Sequence, residues 1–117
     1  MDCPGFQSAG IASGLKKNSK KDLGLIYSDV PATVAAMFTR NLVKAAPVLL
    51  DQHRTANGSC RAVIVNSGNA NCCTGEQGMQ DAVRMGRLAA RGLMVDEEDV
   101  LVASTGVIGE PLPIGKM

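Results

Sequence analysis

The stretch Arg61-Ala-Val-Ile-Val65 is a continuous apolar run of strand length, and it gives way at once to Asn66-Ser67-Gly68-Asn69-Ala70-Asn71, residues that favour turns. A strand with one wet face alternates polar and apolar residues. An unbroken apolar run calls for cover on both faces, which puts this strand at the centre of a sheet. A second run, Val100-Leu-Val-Ala103, leads in the same way into Ser104-Thr105-Gly106. Between them Met79, Ala82, Val83, Met85, Gly86, Ala89, Ala90 and Leu93 recur at helical spacing, which predicts a helix over 78–91 with Gly92 as its C-cap. Arg84, Arg87 and Arg91 fall on another face, where those near the carboxyl end suit the helix dipole. These elements define an α/β fold, a mixed sheet covered by helices.

Upstream, Leu23–Tyr27 and Ala32–Thr39 read as two short strands around a turn at Ser28-Asp29-Val30-Pro31. Ala45–Arg54 suits a short helix with Pro47 in its first turn, ended by Asn57-Gly58. The run Lys16-Lys17-Asn18-Ser19-Lys20-Lys21 reads as a solvated turn. The chain has 117 residues, room for one core, and residues 1–117 are expected to form a single domain.

Composition narrows the function. There is no Trp, one Tyr and two Phe, too few aromatic platforms for stacking bases, and a net charge of +1 provides no field for polyanions. No nucleic acid is expected as a partner. No stretch of about 18 apolar residues exists to span a membrane. Met1-Asp2-Cys3-Pro4 lacks the regions of a signal peptide, so the expected compartment is the cytoplasm. Cys3, Cys60, Cys72 and Cys73 are expected to be reduced thiols acting as small buried hydrophobes, because adjacent cysteines pair only under strain. With contiguous cysteines and His53 as the one histidine, zinc-like ligand spacing is missing and no metal is expected.

Familiar motifs fail on inspection. The tail Gly109-Glu110-Pro111-Leu112-Pro113-Ile114-Gly115-Lys116-Met117 has five residues between its glycines, a methionine after the lysine, and prolines where phosphate-cradling amides are needed. No Gly-x-Gly-x-x-Gly follows either buried strand. His53 has no Gly-x-Ser-x-Gly partner and reads as a surface histidine, and Asp29 and Asp81 have capping or turn roles available. What remains are the two strand-to-loop junctions, Val65 into Asn66–Asn71 and Ala103 into Ser104-Thr105-Gly106. They concentrate uncharged donors at strand carboxyl ends, where ligands gather in open sheets. An oxyanion hole needs such donors, each worth about 3–4 kcal/mol to a developing negative oxygen. Tight turns use the same residue types, so spacing alone leaves both readings open.

Gly5-Phe6 with Ala9–Lys16, Ser28-Asp29-Val30-Pro31-Ala32, Phe38-Thr39-Arg40-Asn41, Ala45-Ala46-Pro47-Val48, Val65–Asn71 and Ala103-Ser104-Thr105-Gly106-Val107-Ile108-Gly109, in that order, resemble the ornithine acetyltransferase family. The resemblance implies a self-processing fold. A precursor cuts itself before a threonine into alpha and beta chains, and the freed threonine carries acetyl from N-acetylornithine to glutamate as an acyl-enzyme in arginine synthesis. It implies an assembly of two alpha and two beta chains, no organic cofactor, and acetyl-coenzyme A as a further substrate in bifunctional members. It assigns the oxyanion hole to the Thr105 hydroxyl and the Gly106 amide, leaving Asn66–Asn71 as a shaped support.

The family's Ala-Thr cleavage site has no counterpart near Met117, and Ala32-Thr33 does not match it. The nucleophile, the substrate-binding lysine and the beta chain are therefore expected elsewhere, and this chain by itself is expected to be inactive. The alternative reading is a noncatalytic structural or interaction subunit, or an inactive fragment; a small-ligand binding domain is a third. An isolated half-site also predicts exposed apolar surface.

Overall fold

In the computed structural model, which describes residues 3–117, four strands form one sheet in the order β1-β2-β3-β4. They are β1 (Phe6–Ile11), β2 (Leu23–Thr33), β3 (Ser59–Asn69) and β4 (Val100–Val107). β1 and β3 run antiparallel to β2, and β4 runs parallel to β3, so the sheet is mixed. Two helices, α1 (Ala46–Arg54) and α2 (Gly75–Leu93), complete the architecture. The α/β class and the central position of the Arg61–Val65 run agree with the sequence. Met1 and Asp2 of the tetrapeptide read for a signal lie outside the described residues. No described helix is long and apolar enough to cross a membrane.

The core lies between the sheet and α2. Ala62 and Ile64 of β3 and Val100 and Val102 of β4 are buried against Ala82, Met85, Ala89 and Ala90 of α2. Leu23, Leu25 and Tyr27 of β2 and the tail residues Leu112, Ile114 and Met117 pack on the same cluster. The opposite face is not covered to the same degree: Val63 and Val65 are half-buried, and Phe6 and Ile26 are each 40% exposed. The double cover inferred from the unbroken run is therefore corrected to one covered face. The second face is apolar and open, and with Met37 and Leu42 almost fully exposed it matches the expected apolar surface.

α1 closes the sheet's free edge at β4. The Val102 amide donates to Asp51 Oδ1 at 3.0 Å, and Arg54 Nη1 donates to the Val100 carbonyl at 2.6 Å. Both groups point away from β3, so two side chains of one helix satisfy an edge that would otherwise invite another strand. Arg54 is 2% exposed and fits because α2 presents Gly86 there, where a Cβ would fall 2.5 Å from Nη1. Glu97, 3.6 Å from Arg54 Nη2, also binds Arg87 at 2.8 Å.

Several expectations are corrected. The two strands around a turn are one strand, β2, whose register shifts between Tyr27 and Ala32. Pro31 lies in that irregular stretch, where it removes no ladder hydrogen bond. Arg61 holds the bulge: Nε donates to the Ser28 carbonyl and Nη2 to the Asp29 carbonyl, each at 3.1 Å. Residues 34–39 carry no strand. β1, which the hydropathy pattern did not announce, pairs Phe6–Ile11 with Leu23–Ser28. α2 runs past Gly92 and is capped by Met94 in the left-handed region, φ 56°, because Leu93 and Val95 on either side are drawn onto the core. Asp81 is neither cap nor turn residue; it is buried mid-helix and accepts from Gln77 at 3.0 Å. His53 is exposed, as read.

The four cysteines are free thiols, but none is buried: Cys3 and Cys73 are exposed, Cys60 and Cys72 half-buried. The lysine-rich run forms a single 3-10 turn at Lys17–Ser19, organised by the buried Asp22. That carboxylate accepts from the amides of Ser13 (2.6 Å) and Lys16 (2.8 Å) and the Ser13 hydroxyl (2.9 Å). These donors, the Lys16 amide foremost, lower its pKa to about 2.

Candidate functional site at the β3 and β4 ends

The two junctions singled out in the sequence are strand rather than loop. β3 continues through Asn69 and β4 through Val107, pairing Asn66 with Ser104, Ser67 with Thr105 and Gly68 with Gly106. Polar and glycine residues hold these strand ends because the parallel ladder satisfies their backbones, which outweighs their weak strand propensity. The ladder then shifts register at Gly68/Asn69.

The glycines there are required. Gly68 has φ +116° and Gly106 φ +136°, a region that side-chain-bearing residues avoid. A Cβ on Gly106 would overlap the Gly68 carbonyl carbon and lie 2.5 Å from the Asn69 nitrogen. The Thr105 side chain is exposed beside this contact. Thr105 and Gly106 are thus adjacent at an open strand end. Along β4 the Val100 carbonyl and Val102 amide face the sheet edge, and alternation turns the Gly106 amide to that edge beyond α1.

The asparagines are structural fasteners. Asn66 Nδ2 donates to the Asn69 carbonyl at 2.9 Å. Asn69 Nδ2 donates to the carbonyls of Glu110 (3.0 Å) and Pro111 (3.1 Å), while its Oδ1 accepts from the Asn71 amide at 2.8 Å. Asn71, fully buried, donates to the Gly78 carbonyl and accepts from the Thr74 hydroxyl, both at 2.8 Å, so it ties β3 to the first turn of α2. Its φ of +45° is one that asparagine tolerates. Two more backbone bonds, Ala70 to Val107 and Gly109 to Cys72, each 2.8 Å, close the strand ends on each other.

Two buried atoms at this end lack partners among the described residues, Asn66 Oδ1 and Ser104 Oγ, on cross-strand neighbours beneath Thr105. The Lys16 stem also reaches this end, 3.3 Å from where a Gly68 Cβ would be. Nothing local in the run Lys16–Lys21 distinguishes it; the Asp22-organised turn brings it there. Among the described residues no three His, Cys, Asp or Glu side chains cluster as a metal site. An apolar groove of about 310 Å³ between β1, β2 and α2, lined by Ile11, Leu23, Leu25, Ala89 and Leu93, lies away from these donors.

A mixed sheet packed on one face against α2, with α1 along its β4 edge and uncharged donors at the ends of β3 and β4, defines an α/β domain. The chain belongs to the ArgJ family, whose model matches residues 7–117. It is 59% identical over 94% of its length to the arginine biosynthesis bifunctional protein ArgJ of Syntrophotalea carbinolica, and 54% identical over its whole length to that of Geobacter sulfurreducens. It spans 28% and 30% of those proteins, under a third of either. The crystal structure of the Bacillus halodurans arginine biosynthesis bifunctional protein superimposes with a TM-score of 0.92 at 46% identity, over 97% of this chain and 59% of that one. Ornithine acetyltransferase from Mycobacterium tuberculosis, solved with ornithine, superimposes with a TM-score of 0.83 at 45% identity, over 97% of this chain and 62% of that one.

Proposed function

We propose that this chain supplies the amino-terminal part of an acetyltransferase that moves acetyl from N-acetylornithine to glutamate in arginine biosynthesis. The acyl-threonine intermediate forms on a threonine carried by a beta chain. The observation that carries this reading is the conformation at Gly106, whose φ of +136° and close packing on Gly68 fix the backbone next to an exposed threonine side chain. When the threonine oxygen adds to the amide carbonyl of N-acetylornithine, the carbonyl oxygen becomes negative. The Thr105 hydroxyl and Gly106 amide donate to it, and the C–N bond breaks as the ornithine nitrogen takes the proton given up by the nucleophilic threonine. Glutamate's amine then takes the acetyl group and returns a proton to that threonine. The β3–β4 ladder holds the Thr105 and Gly106 backbone before the charge develops, which favours preorganised donation.

The open apolar sheet face supports a larger assembly, read as two alpha and two beta chains, and the compartment is read as the cytoplasm. The chemistry needs no metal or organic cofactor, and acetyl-coenzyme A is a candidate second donor in line with the relatives' description as bifunctional. The test is Thr105→Ala in the completed two-chain enzyme. Loss of one oxyanion donor lowers kcat by about a hundredfold with KM little changed. A rate within a few-fold of wild type refutes the assignment.

A further inference from the structure

Cys72 and Cys73 sit on the connection between β3 and α2, with their sulfurs 3.9 Å apart. Neighbouring anchors hold them there: Asn71 is buried and bonded to Gly78 and Thr74, and the Cys72 carbonyl accepts from Gly109. Cys73 has φ +57°, which turns it outward, and it is exposed. It also lines a surface groove that mixes Leu42, Val43, Leu49 and Met79 with Lys44 and Glu76, so apolar surface lies beside the thiol. A tetrahedral zinc site has a sulfur–sulfur edge of about 3.8 Å and a pyramidal trivalent centre a somewhat shorter one, so small side-chain rotations bring this pair onto one soft centre. A structural zinc ion also needs further ligands, and none gather among the described residues. A trivalent metalloid carrying its own organic group needs only two thiols.

We propose that Cys72 and Cys73 form a chelating site for a monosubstituted organic arsenic(III) compound, with the organic group lying against the leucine and methionine side chains of the groove. In the reaction with an arsine oxide the arsenic–oxygen bond breaks and two arsenic–sulfur bonds form. The two thiol protons leave with the oxygen as one water, and arsenic stays trivalent. Exposed Cys73 makes the first bond. Burial raises the pKa of Cys72 and keeps it a thiol until the second bond closes. The bridge stiffens the segment whose carbonyl holds Gly109, and so couples the site to the strand end that bears Thr105 and Gly106.

The test is titration of the full chain with phenylarsine oxide, read by intact mass. One phenylarsenic group is expected per chain, resistant to excess 2-mercaptoethanol and removed by 2,3-dimercaptopropanol. Cys72→Ser and Cys73→Ser, each checked for native circular dichroism, should weaken binding at least about tenfold through loss of the chelate, while Cys3→Ser and Cys60→Ser leave it unchanged. An adduct that survives in both variants, or one that the monothiol removes, overturns the site. The preference for phenyl over methyl arsine oxide should be at least about threefold larger in the folded chain than in urea, since only the folded chain has the groove. Equal preferences overturn the groove's part in it.

Discussion

Replacing Asp51 by Asn should make the protein more stable at neutral pH, although it removes a charge that accepts a hydrogen bond. Asp51 lies against β4, where the Val102 amide and the Arg54 charge favour its ionised form, but desolvation outweighs both and raises its pKa from 3.8 to about 6. A folded-state pKa above the unfolded value means that the native state binds the proton more tightly. The stabilising contribution is therefore full below pH 3.8 and is lost as pH rises to 6. That interval corresponds to about 3 kcal/mol for a fully buried carboxyl at about 1.4 kcal/mol per tenfold, and partial exposure of Asp51 to solvent reduces it to about 1–2 kcal/mol. Asparagine keeps the oxygen that accepts from Val102 and stays neutral. Urea unfolding of wild type and Asp51→Asn at pH 4, 5, 6, 7 and 8 should show the variant gaining about 1–2 kcal/mol on wild type between pH 4 and 7, with a flat difference above. Using the difference cancels carboxylates that act in the opposite sense, Asp22 and Glu97. Parallel curves, or a variant less stable than wild type at pH 7, would refute the claim that desolvation dominates at this edge.

Gly106→Ala combines a forbidden backbone region with overlap on Gly68, and should cost about 2–5 kcal/mol in urea unfolding; a loss under about 0.5 kcal/mol would mean that the strand ends part freely. Asn71→Ala removes a fully buried side chain with two bonds and leaves the Thr74 hydroxyl without its acceptor, a cost of about 1–3 kcal/mol, with faster hydrogen exchange in the first turn of α2. Asp22→Asn should flatten the acid limb of stability, because a pKa lowered to about 2 contributes stability above pH 3.8 that is lost as pH falls toward 2. The readout is the urea midpoint between pH 5 and 2, and an acid limb as steep as in wild type would place the lost stability elsewhere.

Candidate donors were legible because Thr105 and Gly106 follow a buried strand and stand in an ordered series of motifs. Their geometry was not: the sequence reading made 66–71 and 104–106 loops, since asparagine, serine and glycine are turn residues by propensity. In the folded chain residues 66–69 and 104–106 extend the β3–β4 ladder, because backbone hydrogen bonding between parallel neighbours is a long-range property that no local pattern carries. The bulge in β2 was hidden for a similar reason, as the partner that holds its free carbonyls, Arg61, lies 33 residues from Ser28.

By itself the sequence determined the element types with strong periodicity, α1, α2 and the cores of β3 and β4, together with the family, because hydrophobic spacing and motif order are written along the chain. Tertiary structure alone decided which polar residues are interior. Asp51 and Arg54 read as ordinary charges of a short helix, yet packing against the free edge of β4 makes one an acceptor for Val102 and buries the other beneath Gly86. A charge's role depends on the dielectric and partners around it, and those are set by elements about 50 residues away that meet only when the chain folds.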